Sequence, residues 1–457
     1  MSVDTVSLTG WGRTAPTTAL RFRPRSHEEA AATVRGCGPR GSIARGLGRS
    51  HGDAAQNAGG SVLDMTALDR IRTIDAGAGV VVCDAGVSLH RLLEVLLPLG
   101  WFLPVAPGSR YITVGGAIGS DVHGDNHRAA GTFSRHVTEF ELLTADGGIR
   151  TVRPGTPLFD ATAGGMGLTG VILSATLRLH PVATSLMSVD TERALDLDDL
   201  MTRLAAGSRR ATYASAWVDL TARGRSTGRG VLTRGEHAPL YALPAHARRT
   251  PLAFRTAPPP AAHLPVPDLL PGGLPGGLLG RMSATAFNEL RYRRAPRSRT
   301  GELQRISAFL HPMDGLPHRN RMPARGGFVH YEFTVGDRRA ETLRRIVGQL
   351  SQRRVPSFTA VLKRFGRSDP GWLSFPEPGW CLALDLPAGL PGLGRFLDRL
   401  DEEVAAAGGR VCLTNDSRLR PDALAAMYPR LAEFRELRAE SDPNGAFRSD
   451  LSRRLSL

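Results

Sequence analysis

The chain of 457 residues carries a formal net charge of +15, 41% hydrophobic residues and four cysteines. That length suits two or three domains with well-filled cores; Cys37, Cys83, Cys381 and Cys412 lack the paired spacing of a zinc site and fit a reducing compartment, the cytoplasm, so no metal is expected. The basic residues never gather into an aromatic-studded stripe, which argues against nucleic acid, whereas a basic surface suits an anionic membrane face or a phosphorylated substrate.

The opening "MSVDTVSLTGWGRTAP" has no basic region followed by an apolar run, and the longest greasy stretch, "LLEVLLPLGWFLPV", is broken by Pro98, Gly100 and Pro104. Neither a signal peptide nor a spanning helix is expected. "RPRSHEEAAATVRGCG" predicts a helix capped by Ser26 and Glu29 at capping-box spacing, with a stop at Gly36 or Gly38. Strands follow at "SIARG", "SVLDMT" and "VVVCDAG", then a helix from about Ser88 through "LHRLLEVLLPLG" and a hairpin "FELLTADGGIRTV" that turns at Asp146-Gly147. The pattern is a mixed α+β domain.

Three glycine-rich stretches punctuate it: "IARGLGRSHGDAAQN", "PGSRYITVGGAIGSDVHGDNHRAAG" and "ATAGGMGLTGVILSATLRLHPV". Glycine lets main-chain amides approach an anionic ligand closely, so one extended cofactor running past all three loops accounts for them economically. The spacing of Gly46, Gly48 and Gly52 does not match G-x-G-x-x-G, which disfavours a nicotinamide fold.

Residues 236–300 are dense in proline, glycine and leucine, and read either as a mobile lid or as a plain linker without a helix or strand of useful length. Beyond them "GFVHYEFTV", "SFTAVLKRFG" and "WCLALDLP" alternate as strands do. Period-two spacing puts His330 with Glu332, Lys363 with Val361 and Thr359, and Asp385 with Ala383 and Cys381, each set on one face. If the strands are neighbours, that face is either a polar substrate site or a solvated surface with ordinary ion pairs. Lys363 is the sole lysine among 58 lysines and arginines. A position that keeps lysine against such a bias points to a need for a compact, tunable cation, or to chance survival.

From "GWGRTAP" through "ARGLGRSHGDAAQN", "ITVGGAIGSDVHGDNH", "LLTADG", "GLTG", "SAWVD", "KRFG", "SFPEPGW", "DSR" and "MYPR" to "DPNGAFRSDLSRRL", the chain resembles flavoenzymes of the vanillyl-alcohol oxidase type. The resemblance implies a two-domain α+β fold: an FAD-binding domain of PCMH type over residues 1–185, a substrate (cap) domain with an antiparallel sheet over 186–409, and a return to the FAD domain over 410–457. It implies FAD held by Arg45, Gly46, Leu47, Gly48, Arg49, Ser50, His51, Gly52, Asp53 and Ala54. Gly108, Thr113, Val114, Gly115 and Gly116 would continue the cradle, Ser120, His123 and Asn415 would lie by the flavin, and Val171 or Ile172 would pack the adenine end. Catalysis would fall to Lys363, His330, Asp385, Glu332, Asn415 and His123, oxidising an alcohol of a sugar or sugar-lipid substrate, with a reductase partner and peripheral membrane contact as further implications.

Sugar-oxidising members carry tyrosine, lysine, two glutamines and cysteine where this chain has His51, Asn415, His330, Glu332 and Ala383; Lys363 matches an active-site lysine. Members that oxidise alditols or aldonolactones with covalent flavin carry a histidine at about the position of His51. Three readings stay open: oxidation of a prenyl-phosphoryl sugar; oxidation of another sugar, aminocyclitol, alditol or aldonolactone with FAD bonded to His51; and a flavin-holding protein without catalysis.

Overall fold

A computed structural model describes residues 2–207, 211–254, 280–315, 320 and 326–457. In the first 185 residues a four-stranded sheet orders Ser2–Leu8, Thr17–Arg23, Ser61–Asp64 and Ser42–Arg45, its last three strands parallel. A five-stranded antiparallel sheet orders Ile71–Asp75, Val80–Asp84, Val171–Arg178, Val137–Leu143 and Ile149–Val152.

Local chemistry places these elements largely where the pattern predicts them. Helix His27–Arg35 starts at Ser26, whose hydroxyl accepts from the Glu29 amide, and ends at Gly36. The Glu29 carboxylate reaches back to the Arg25 amide at 2.9 Å rather than to that of Ser26, so the capping box is displaced by one residue. Ser88 caps helix Leu89–Leu96, and the predicted hairpin turns with Gly147 in the left-handed region, φ +80°.

The remaining large sheet is eight-stranded and antiparallel throughout: Ser298–Arg305, Leu186–Ala194, Gly230–His237, Tyr213–Val218, Val361–Phe365, Gly379–Pro387, Phe328–Gly336 and Arg410–Val411. Its two faces separate by period two. Leu362, Leu382, Leu384, Leu386, Tyr331, Phe333 and Val335 bury against Leu343, Ile346, Val347 and Leu350 of helix Ala340–Gln352 and Phe396, Leu397, Leu400 and Val404 of helix Leu393–Ala406. Each fully buried leucine on that face contributes about 1.5–3 kcal/mol. The apolar stripe therefore fixes the register, and a one-residue slip would exchange the two faces. The opposite face is left for Lys363, Cys381, Ala383, Asp385, His330 and Glu332.

Residues 236–300 depart from the expected lid or linker without helix or strand. Strand Gly230–His237 runs into the segment, helix Arg281–Arg294 and strand Ser298–Arg305 occupy its end, and the part at 255–279 lies outside the described residues. "RMSATAFNELRYRR" contains neither proline nor glycine and is rich in helix formers; averaging over the whole stretch hid it.

The chain's end returns to its beginning. The Ser42 amide donates to Ala446 O at 2.7 Å, and Arg454 clamps Asp53 at 2.7 Å and Asp416 at 2.8 Å. Among the described residues no helix is long and apolar enough to cross a membrane.

Candidate active site

One cavity of about 970 Å³ runs between the glycine-rich loops and the polar face of the eight-stranded sheet. At the loop end its wall is mostly main chain and small residues: Gly46, Gly48, Ala54, Gly108, Gly115, Gly116, Gly119, Gly167 and Gly170. The protein itself requires several of these, Gly46 and Gly48 among them. A Cβ on Gly46 would lie 2.2 Å from Thr113 Oγ1, and Gly48 has φ +65°.

The residues fit a dinucleotide cofactor on an observation independent of motif. The amides of Leu47, Gly48 and Ser50 belong to this wall and find no acceptor among the described residues, as donors awaiting a diphosphate would. Arg45 is not such a donor. It lines the cavity, but its guanidinium donates to Ala55 O at 2.9 Å and Thr9 O at 2.8 Å. Arg49 lies over the Trp11 ring at 3.9 Å and donates to Tyr111 O at 3.0 Å, tying the first loop to the second.

The loop that follows is pinned by Asp121, which adopts φ +41°, accepts from the Ser134 amide at 3.1 Å and from the Ser374 hydroxyl at 2.6 Å. It presents His123 and Asp125 to the sheet. Lys363 Nζ lies 3.2 Å from Asp125 Oδ1, and His123 Nε2 lies 3.1 Å from Glu332 Oε1.

On the sheet, His330 pairs with Asp385 and Lys363 with Cys381 across neighbouring strands. His330 Nδ1 is 2.5 Å from Asp385 Oδ1, and Thr359 Oγ1 donates to Asp385 Oδ2 at 2.8 Å. The His330 ring stacks on that of His51, centroids 4.3 Å apart. Asn415 closes the set: its Nδ2 donates to Glu332 Oε2 at 2.6 Å, and its Oδ1 faces His51 Nδ1 at 2.6 Å. Because a carboxylate only accepts, the amide NH2 of Asn415 faces Glu332, and His51 must carry its proton on Nδ1.

Burial opposes every charge here, and neighbours outweigh it. At His330 desolvation disfavours the imidazolium, but Asp385 and then Glu332 raise the ring's pKa above its ordinary value. Asp385, against its own desolvation, is held at about 2 by His330. Glu332 is desolvated too, yet His123, Lys363 and His330 hold it well below the usual carboxylate range. For Lys363 desolvation is overcome by Asp125 and Glu332, which raise it above the ordinary lysine value. Burial, with Glu332 nearby, pushes the Cys381 and Cys412 thiols well up, so neither is a thiolate.

The structure thus brings together Lys363, His330, Asp385, Glu332, Asn415, His123 and His51, with Glu332 only 4% exposed, which removes the solvated-surface reading of the sheet face. Arg45, Gly46, Leu47, Gly48, Arg49, Ser50, Ala54, Gly108, Thr113, Gly115, Gly116, Ser120 and Ile172 also line the cavity. Four residues of the implied cofactor set do not. Gly52 packs against the 416 loop, where a Cβ would lie 1.7 Å from Asp416 O, and Asp53 is turned to Arg454. Val114 and Val171 are fully buried in two separate apolar clusters. Asp125 and Arg291 were not anticipated; a single aspartate in a loop and one arginine among many carry no sequence signal. His51, His330 and Asp385 place ligand atoms within 4.8 Å of one another, but the His330 and Asp385 atoms are joined by a hydrogen bond and His51 Nδ1 is bonded to Asn415.

The cavity, walled by main-chain donors on one side and a charged antiparallel sheet on the other, fits a dinucleotide beside a polar substrate, and the chain's relatives give the class: an FAD-dependent oxidoreductase acting on CH–OH groups, with a PCMH-type FAD-binding domain. The FAD binding domain family model matches residues 18–153. Decaprenylphosphoryl-beta-D-ribose oxidase of Mycolicibacterium smegmatis is 42% identical over 99% of this chain and 98% of its own length. An uncharacterized protein encoded in the mprA 5′ region of Streptomyces coelicolor is 54% identical over 81% of this chain and 100% of its own length. An alditol oxidase of Streptomyces is 27% identical over 98% of this chain and 99% of its own length. The chain belongs to the FAD-dependent oxidoreductase family that includes decaprenylphosphoryl-beta-D-ribose oxidase.

Proposed function

We propose that the protein oxidises a secondary or primary alcohol on a sugar or sugar-like substrate to a carbonyl, in the manner suggested by its relatedness to the ribose oxidase. Residues 1–185 and 410–457 hold FAD and residues 186–409 hold the substrate. The observation that carries this reading is the convergence of His330, Asp385, Lys363 and Glu332 on the cavity wall next to His51 of the first glycine loop. FAD, when bound, supplies the hydride acceptor for the carbinol carbon.

The side chains deal with the hydroxyl proton. His330 in its neutral form is the base, and Asp385 fixes the proton of that form on Nδ1, leaving Nε2 to accept from the substrate. The same carboxylate stabilises the imidazolium that results. Lys363 stays an ammonium held by Asp125 and offers a donor to the substrate oxygen, while Glu332, fixed by His123 and Asn415, orients the remaining hydroxyls. Anaerobic mixing of the FAD-loaded protein with sugars, alditols, aminocyclitols, aldonolactones and prenyl-phosphoryl ribose tests the reading. Bleaching of the flavin band by at least one is expected, and bleaching by none overturns it.

A second reading, oxidation of an alditol or related polyol with FAD bonded to His51, is favoured by relatedness to the alditol oxidase and by the histidine itself. Acid precipitation decides it. Yellow colour retained in the pellet and lost in His51→Ala supports the bond; colour in the supernatant excludes it.

A further inference from the structure

Helix Arg281–Arg294 turns one face to the cavity, with Ser283, Phe287 and Arg291 at i, i+4 and i+8. It is anchored there by Asn288, fully buried, whose Nδ2 donates to Asp219 Oδ1 and Ser357 O, both at 3.1 Å. The Arg291 guanidinium lies over the Trp217 ring at 4.6 Å from the centroid, and its Nη1 reaches Phe358 O only at 3.5 Å. Phe287 and Phe358 pack edge to face beside it, centroids 5.4 Å apart.

Several other arginines of the interior carry carboxylate partners, and Arg45 donates its guanidinium hydrogens to the carbonyls of Ala55 and Thr9. Arg229 pairs with Asp219 and Glu289, Arg418 with Asp398 and Asp401, and Arg454 with Asp53 and Asp416. Among the described residues Arg291 has no carboxylate partner, and burial alone pushes its pKa down to about 10. A guanidinium stacked in the aromatic wall of the cavity without a counter-charge keeps its free donors for an anion that enters. One face of the sheet leads from it to the proposed proton-handling residues: Trp217 pairs with Val361, Val361 with Ala383, and Ala383 with Glu332. Three strand spacings are about 14 Å.

We infer that Arg291 is the receptor for an oxyanion of the substrate, a phosphoryl or carboxylate group joined to apolar carbon, held at the aromatic end of the cavity while the alcohol reaches His330. The guanidinium fork takes two anion oxygens and Trp217, Phe287 and Phe358 cover the attached carbon. The inference rests on the proposed sugar-alcohol oxidation for the word substrate, but its test reads binding and not turnover, so the two can fail separately.

The FAD-loaded protein is titrated calorimetrically with octyl phosphate, octanoate and octanol. Octyl phosphate is expected to bind at least roughly tenfold tighter than octanol. Arg291→Met erases that preference while octanol binding persists, and Arg291→Lys, which keeps charge without the fork, retains part of it. Octanoate binding as tightly as octyl phosphate identifies a general oxyanion site, and weaker binding identifies a phosphoryl site. Where the variants do not fold, phenylglyoxal labelling of the unaltered protein serves: octyl phosphate should protect the Arg291 peptide. No phosphate preference in the unaltered protein, a preference that survives Arg291→Met, or labelling of Arg291 indifferent to octyl phosphate each overturns the inference.

Discussion

At the loop end of the cavity the wall is main chain, and the glycines there are fixed by what surrounds them; at the sheet end it is charged side chains, each held by one or two others. Gly46 in that wall, and Gly52 just beyond the wall residue His51, leave no room for a Cβ against Thr113 and Asp416, whereas His330, Asp385, Lys363 and Glu332 sit on strands whose opposite face carries the apolar load. The difference separates two kinds of constraint. A cofactor common to many relatives can be held by backbone geometry that a substitution destroys outright, and substrate chemistry can be retuned by side chains without disturbing the fold.

The largest expected effect lies at the loop end. Gly52→Ala drives a methyl into Asp416 O at 1.7 Å, displacing the residue that Arg454 clamps together with Asp53. Loss of FAD on purification and a fall in thermal midpoint corresponding to several kcal/mol are expected. Gly108→Ala is the contrast: nothing lies within 4 Å of its added Cβ. It should keep the midpoint of the apoprotein, so that any drop in FAD affinity, read by flavin fluorescence, reports the occupant of the cavity rather than the wall. Equal loss of stability in both variants would break the distinction.

At the sheet end the leading test is Lys363→Met. It deletes the ammonium between Asp125 and Glu332 and should slow flavin reduction in anaerobic stopped flow by about 10²–10⁴-fold. Bound FAD should be retained. Loss of FAD instead would show that the two ends are not independent.

How much of this was legible beforehand follows the same division. Strand alternation in "GFVHYEFTV", "SFTAVLKRFG" and "WCLALDLP" placed His330, Glu332, Lys363 and Asp385 on shared faces because burial on one face forces period two. It could not say that Asp125 would meet Lys363, since that contact joins a loop to a strand more than two hundred positions away and depends on the turn at Asp121. The glycines of "RGLGRSHGD" were readable as unusual, but not for the reason found at Gly52, where the close neighbour is the 416 loop. Asp53 has the look of a ligand residue in sequence and is an ion-pair partner of Arg454 in space. Arg291 was hidden twice, by the abundance of arginine and by a proline-rich stretch that masked its helix.

Two smaller effects sharpen the assignment of His330 as base. Its pKa is raised by Asp385 against the pull of burial, so activity should rise with pH through that raised value and be lost below it. Asp385→Asn removes the carboxylate that stabilises the imidazolium. The acid limb of the pH profile of flavin reduction should therefore move to lower pH, and the plateau should fall about 10–100-fold as the base weakens. A limb that stays in place would assign the proton to another group.

Thr359→Val carries the opposite sign and the smallest magnitude. The Thr359 hydroxyl donates to Asp385 Oδ2 at 2.8 Å and withdraws part of the charge that His330 feels. Without it Asp385 pairs more strongly with the imidazolium, and the acid limb should move to higher pH by about a few tenths of a unit, with little change in the plateau. A substrate-end network of side chains predicts two shifts of opposite direction from two neighbouring substitutions. A limb that moves to lower pH in Thr359→Val as well would mean that the hydroxyl holds Asp385 in place against His330 rather than competing for its charge.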